Sequence, residues 1–147
     1  MKGIYRRKGL WVLVALLALG LVVSCAPTKP MTAKDFVAEA KAKIKEISVA
    51  EAKAKIESGA PLVVLDVREP KEYKKGHLPK AVNLPRGLLE FKVNKVIPNK
   101  DAYVIVYCKS GGRSALATLT LKRMGYKNAV SMAGGWKAWV KAGYPIE

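Results

Sequence analysis

Residues 102–114 read Ala-Tyr-Val-Ile-Val-Tyr-Cys-Lys-Ser-Gly-Gly-Arg-Ser, and this stretch decides the fold. Ala102–Tyr107 is a short, unbroken apolar run, the pattern of a strand covered on both faces. Cys108 follows at once. Two glycines and an arginine then lead into Ser114–Met124, whose Leu116, Leu119, Leu121 and Met124 predict a helix stopped by Gly125. A strand that passes through a glycine-rich turn into a helix is half of a β-α-β unit.

Working outward, the same grammar recurs. Leu62–Leu65 is a second fully apolar strand, with Asp66-Val67-Arg68 at its carboxyl end. Glu69–Lys75 reads as a short helix with Pro70 in its first turn. Ala81–Leu84 is a short strand closed by Pro85. Gly87–Ile97 is helical or irregular, Pro98–Asp101 is a turn, Ala129–Met132 is a strand, and Gly134–Ala142 is a last helix. Strands alternating with helices imply a single α/β domain: a central parallel sheet flanked by helices on both faces. Ligands of such sheets sit beyond the carboxyl ends of the strands, where Asp66 and Cys108 both fall.

Upstream, Thr32 with Asp35 and Ser48 with Glu51 are capping pairs that open two helices. Phe36, Val37, Ala40, Ile44 and Ile47 make an apolar stripe at helical spacing, which extends the first helix to Ile47. The octapeptide VAEAKAKI occurs twice, at Val37–Ile44 and Val49–Ile56. A spacing of twelve is too short for a solenoid, so the copies read as two amphipathic helices.

Composition narrows the chemistry. In 147 residues there are two cysteines, Cys25 and Cys108, and one histidine, His77. Neither a disulfide framework nor a Cys-His zinc site can be built from so few, and no metal or cofactor is expected. The net charge is +16. The lysine-rich stretches lack interleaved aromatics and nucleic-acid motifs, so the charge points to a basic surface and anionic small molecules, not to nucleic acid.

The first 24 residues carry Lys2, Arg6, Arg7 and Lys8 and no acid, followed by fourteen uncharged residues, Leu10–Val23. That run is short for a membrane span and of the right length for the apolar region of a secretory signal. Val22-Val23-Ser24-Cys25 resembles a bacterial lipobox. The resemblance implies cleavage before Cys25, a lipid on its sulfur, and a location in the cell envelope outside the cytoplasm, on the periplasmic face or outer membrane of a Gram-negative host. An ordinary signal peptide or an uncleaved anchor are the alternatives. The expected organisation is a signal peptide over 1–24, a tether and helix over 25–47, and the α/β domain over 48–147. With Cys25 lipidated, Cys108 is the one thiol left in the mature chain.

Cys108-Lys109-Ser110-Gly111-Gly112-Arg113 has the make-up of an anion cradle. Backbone N–H groups and a helix N-terminus favour negative charge, the glycines permit a tight turn, Ser110 offers a hydroxyl, and Lys109 and Arg113 add full charges. Such surroundings favour a thiolate or a persulfide anion.

At these residues the chain resembles the rhodanese family. The matching pieces are Leu65-Asp66-Val67-Arg68-Glu69-Pro70, Glu72-Tyr73, Gly76-His77-Leu78-Pro79, Ala81, Asn83-Leu84-Pro85, Gly134-Gly135-Trp136, Ala138-Trp139 and Gly143-Tyr144-Pro145, besides the loop itself. The resemblance implies a rhodanese-like sulfurtransferase that needs no cofactor. Cys108 would take sulfane sulfur from a small anionic donor such as thiosulfate or polysulfide, and pass it to a thiol or cyanide-like acceptor. Lys109, Ser110, Gly111, Gly112 and Arg113 would bind substrate. Related phosphatases of this fold place five residues between Cys and Arg; four stand here, which favours sulfur over phosphate or arsenate. A carrier module acting only with a partner is the other reading. Asp66 and Arg68 are candidates for orienting the loop or for a structural ion pair. His77 is expected to hold a turn, Trp136 and Trp139 to pack on the sheet, and Arg86 to lie near the loop mouth.

Overall fold

The computed structural model describes residues 29–147, and Met31–Glu147 form one compact unit. Cys25 and the signal-like segment lie outside the described residues. In chain order the elements are α1 (Ala33–Lys43), β1 (Glu46–Ile47), α2 (Val49–Glu57), β2 (Leu62–Asp66), α3 (Pro70–Tyr73), β3 (Ala81–Asn83), a 3-10 turn (Arg86–Leu88), α4 (Leu89–Val96), β4 (Tyr103–Tyr107), α5 (Gly112–Arg123), β5 (Ala129–Met132) and α6 (Gly135–Lys141).

The five strands form one parallel sheet in the order β1-β5-β4-β2-β3. Alternate residues of the central strands feed two apolar layers, as the period-2 geometry of a strand requires. Leu65, Val104 and Val106 pack beneath α4 and α5 with Leu89, Val93, Ala117 and Leu121. Val64, Ile105 and Tyr107 pack beneath α2 and α6 with Ala52, Ile56 and Trp139. Both faces are covered, which is why the central strands read as continuous apolar runs.

The first helix corrects the sequence reading. The expected stripe to Ile47 breaks at Ile44, an extended C-cap, and Glu46–Ile47 becomes an edge strand paired to Ser131 and Met132. Sheet pairing won over helical spacing: Lys45 C=O accepts from Ser131 N–H, and Ile47 C=O from Ala133 N–H. Phe36 belongs to the expected apolar stripe yet stands half exposed; Ala40 is the residue of α1 that is buried. Both expected capping boxes are present.

Two adjacent carboxyl ends define the working edge. Asp66 of β2 pairs in register with Tyr107 of β4, and Asn83 of β3 pairs with Asp66 on its other side. The chain enters the Cys108 loop one residue beyond Tyr107. Among the described residues, no helix is long and apolar enough to cross a membrane.

Candidate active site

Cys108 is buried, and its sulfur lies 3.2 Å from the N–H of Gly111, which donates to it. Gly111 can aim that N–H because its φ is +104°, a left-handed conformation that glycine tolerates. It is also the N-cap of α5, so the sulfur sits at the positive end of a twelve-residue helix. Ser114 Oγ donates to Gly111 C=O at 3.1 Å, and Ser131 Oγ to Ser114 Oγ at 3.1 Å, which pins the turn to β5.

The loop carbonyls face the other way. Cys108 C=O accepts from Trp136 N–H at 2.8 Å and Lys109 C=O from Lys137 N–H at 3.0 Å. These donors are orphan N–H groups in the first turn of α6, so the helix is capped by the loop and the loop is held by the helix. The approach is so close that a Cβ on Gly135 would lie 2.3 Å from Cys108 C=O. Gly134 and Gly135 both have positive φ, +75° and +56°. The Gly134-Gly135-Trp136 segment is therefore a clamp on the Cys108 loop, a role that its sequence alone does not disclose.

Asp66 and Arg68 form a buried bidentate pair, with Arg68 Nη2 to Asp66 Oδ2 at 2.6 Å and Nε to Oδ1 at 3.0 Å. Arg68 Nη2 also donates to Gly76 C=O at 2.9 Å. Its guanidinium lies 4.5 Å from the Trp136 ring centroid and 5.4 Å from that of Tyr107. Burial works most strongly against the charge on Arg68, but the hydrogen bonds and charge of Asp66, together with Tyr107, outweigh it in sum and hold its pKa above the ordinary value. The pair joins the carboxyl end of β2 to Gly76 and to Trp136, whose N–H in turn holds the Cys108 carbonyl. Tyr107 accepts a hydrogen bond from Leu78 N–H at 3.2 Å, and burial pushes its phenol pKa up.

Arg113 is turned to a carboxylate. Its Nη1 and Nη2 donate to the two oxygens of Glu72 at 2.8 and 3.0 Å, tying α3 to α5. The Arg113 guanidinium holds the Glu72 carboxyl down at about 2. Lys109 and Ser110 are exposed on the outer side of the loop. Gly112 faces Val37 of α1, so α1 backs the loop.

Two expectations separate here. His77 holds a turn: its ring stacks on Tyr73 at 3.9 Å, its Nδ1 lies 3.1 Å from Leu78 C=O, and its N–H donates to Glu147 C=O. Arg86, expected near the loop mouth, starts the 3-10 turn after β3 and instead pairs with Glu90 at 2.9 Å and donates to Thr120 in the C-terminal half of α5. Trp139 is buried as expected, its indole N–H donating to Pro145 C=O, and Trp136, half-buried, packs against the same core layer. Trp136 joins Arg68, Glu72, Lys75 and Lys109 in lining a cavity of about 250 Å³ beside the loop.

Comparison with known proteins agrees with this geometry. The family model for the rhodanese-like domain matches residues 48–142. YrkF of Bacillus subtilis, named for sulfur carriage, is 38% identical over 102 residues, covering 69% of this chain and 54% of its own length. A sulfurtransferase of Allochromatium vinosum is 30% identical over 103 residues, covering 70% of this chain and 94% of its own. The chain thus spans about half of the first relative and nearly all of the second. A solved structure from Rhodopseudomonas palustris is 34% identical with a TM-score of 0.76, covering 83% of this chain and 98% of its own; its description suggests a tyrosine phosphatase. The match over most of the described chain, with the loop, the clamp and the parallel sheet in place, makes this protein a member of the rhodanese-like family of sulfurtransferases and sulfur carriers.

Proposed function

We propose that the protein transfers sulfane sulfur from a small anionic donor to a thiophilic acceptor through a persulfide on Cys108. The observation that carries this reading is the Cys108 sulfur at the N-terminus of α5 receiving the Gly111 N–H. With thiosulfate, the Cys108 thiolate attacks the outer sulfur. A new S–S bond forms, the old S–S bond breaks with its electron pair going to the leaving sulfite, and Cys108 holds S–S⁻. Cyanide or a thiolate then attacks the terminal sulfur, and Cys108 leaves as the thiolate. The Gly111 N–H and the helix terminus act on negative charge at the same place in both half-reactions. The cycle needs no acid to protonate a leaving alcohol, and the Cys108–Arg113 loop contains none.

Near-complete burial of Cys108 further supports a slim terminal sulfur atom as the reacting group over a tetrahedral phosphoester. Initial-rate kinetics test the cycle. Double-reciprocal lines for thiosulfate and cyanide should be parallel, and one sulfite per chain should appear before any acceptor is added. Intersecting lines, with no sulfite until cyanide arrives, would contradict it.

We also propose that the chain is exported and anchored in the cell envelope by a lipid on Cys25. The positive start, the uncharged run Leu10–Val23 and the Val-Val-Ser-Cys ending support this. Two or three acyl chains, at about 0.8 kcal/mol per buried CH₂, would hold so small a domain firmly.

A further inference from the structure

Both arginines beside the Cys108 loop are already engaged. The fork of Arg68 grips Asp66 and that of Arg113 grips Glu72, each bidentately. Each carboxylate occupies one fork of its guanidinium and fixes that side chain's orientation, and Arg68 Nη2 is further engaged by Gly76 C=O. The cavity beside the loop nevertheless has two other cations in its lining, Lys75 and Lys109, set against Trp136. Among the described residues neither lysine has an ion-pair partner. Lys109 follows the reactive cysteine. Lys75 comes from a separate element, the turn after α3, where its N–H donates to Glu72 C=O. The Glu72–Arg113 pair, by fixing α3 to α5, fixes the turn that carries Lys75 against the loop.

We propose that Lys75 is a donor-binding residue. Together with Lys109 it recruits a small sulfur dianion into this cavity by point-charge attraction, while Arg68 and Arg113 serve as structural struts. The inference deepens the sulfur-transfer reading and rests on it for the identity of the donor. Point charges on flexible stems attract any compact dianion without fixing its geometry, which suits a thiosulfonate end whose outer sulfur must turn toward Cys108. The attraction is electrostatic and exposed, so it must weaken with salt.

The test compares Lys75→Gln, Lys75→Arg and Lys127→Gln, each in the unit from residue 29 onward once its fold is confirmed by circular dichroism. Lys127 lies before β5, at the opposite end of the sheet, and controls for the loss of one net charge. The KM for thiosulfate should rise about three- to tenfold in Lys75→Gln, with kcat little changed and a shallower dependence on ionic strength. Lys75→Arg should restore both, and Lys127→Gln should behave as wild type. In parallel, thiosulfate binding to Cys108→Ser, which cannot be loaded, is followed by NMR titration with and without Lys75→Gln. A Lys75→Gln enzyme with wild-type KM and salt dependence, or one matched by Lys127→Gln, overturns the inference and leaves sulfur transfer standing. If wild type takes no sulfur while thiosulfate still binds Cys108→Ser in a Lys75-dependent way, the inference stands and the transfer reading falls. No Lys75-dependent binding in either format defeats it outright.

Discussion

Cys108 owes its setting to residues that have almost no side chain. Gly111 turns an N–H onto the sulfur, and Gly135 lets the first turn of α6 reach the loop carbonyls. Adding a methyl at Gly135 would force it against Cys108 C=O at 2.3 Å in a backbone conformation, φ +56°, that disfavours any Cβ. Gly135→Ala should therefore cost about 2–4 kcal/mol and depress sulfur loading, because either the loop or α6 must move. Gly125 is the matching control. It has φ +95° but nothing within 4 Å of a Cβ, so Gly125→Ala carries the backbone strain alone, about 1–2 kcal/mol, and should load sulfur normally. Thermal unfolding and loading rates on the two variants separate strain from loop displacement. At this scale the sequence discloses Cys108, the glycines and the basic residues of the loop, since their chemistry is local. It does not disclose that Arg113 is held by Glu72, forty-one residues away, or that Arg68 lies on Trp136. Those partners meet only when β2, β4 and the start of α6 come together at one edge.

The elements show the same division between local and long-range causes. The repeated octapeptide is helical throughout its second copy, within α2, but its first copy gives up Ile44 at the end of α1. Ala40 and Ala52, equivalent in the two copies, are both buried, so the amphipathic pattern is obeyed in each. The difference comes from the residues that follow: Glu46–Ile47 has a sheet edge to join, and a two-residue strand leaves no periodic signature. The caps, the central strands and the last helix were legible because propensity, patterning and burial agree there. Between elements, the Glu72–Arg113 pair joins α3 to α5 and has a pH signature. Glu72 is held at about 2, below the ordinary 4.5, so its contribution is complete above pH 4.5 and is lost as pH falls through 2. For a pair about one-third exposed, solvent screening limits this to about 1 kcal/mol. Denaturant midpoints measured from pH 5 down to pH 2 should fall less steeply in Glu72→Gln than in wild type. Equal slopes would mean that the pair does not stabilise the fold.

At the scale of the whole molecule, the basic balance of the chain and Cys108, the one buried thiol among the described residues, suit the proposed role of drawing sulfur anions to a covered cysteine. The proposed anchor would keep that chemistry at a membrane. Expressed in a bacterial host, the full chain should be cut before Cys25 and stay with membranes through a salt wash. Cys25→Ser should abolish lipidation and normal processing. A wild-type chain with a free N-terminus elsewhere and an unmodified Cys25 thiol would remove the anchor from the account without touching the sulfur chemistry. That chemistry is tested most directly by weighing the protein. After incubation of the unit from residue 29 onward with thiosulfate and removal of excess reagent, intact mass spectrometry should show one added sulfur. The sulfur should be located on Cys108, discharged by cyanide, and absent from Cys108→Ser. An unchanged mass after thiosulfate and polysulfide alike, in a folded protein with a reduced Cys108, would contradict the persulfide cycle.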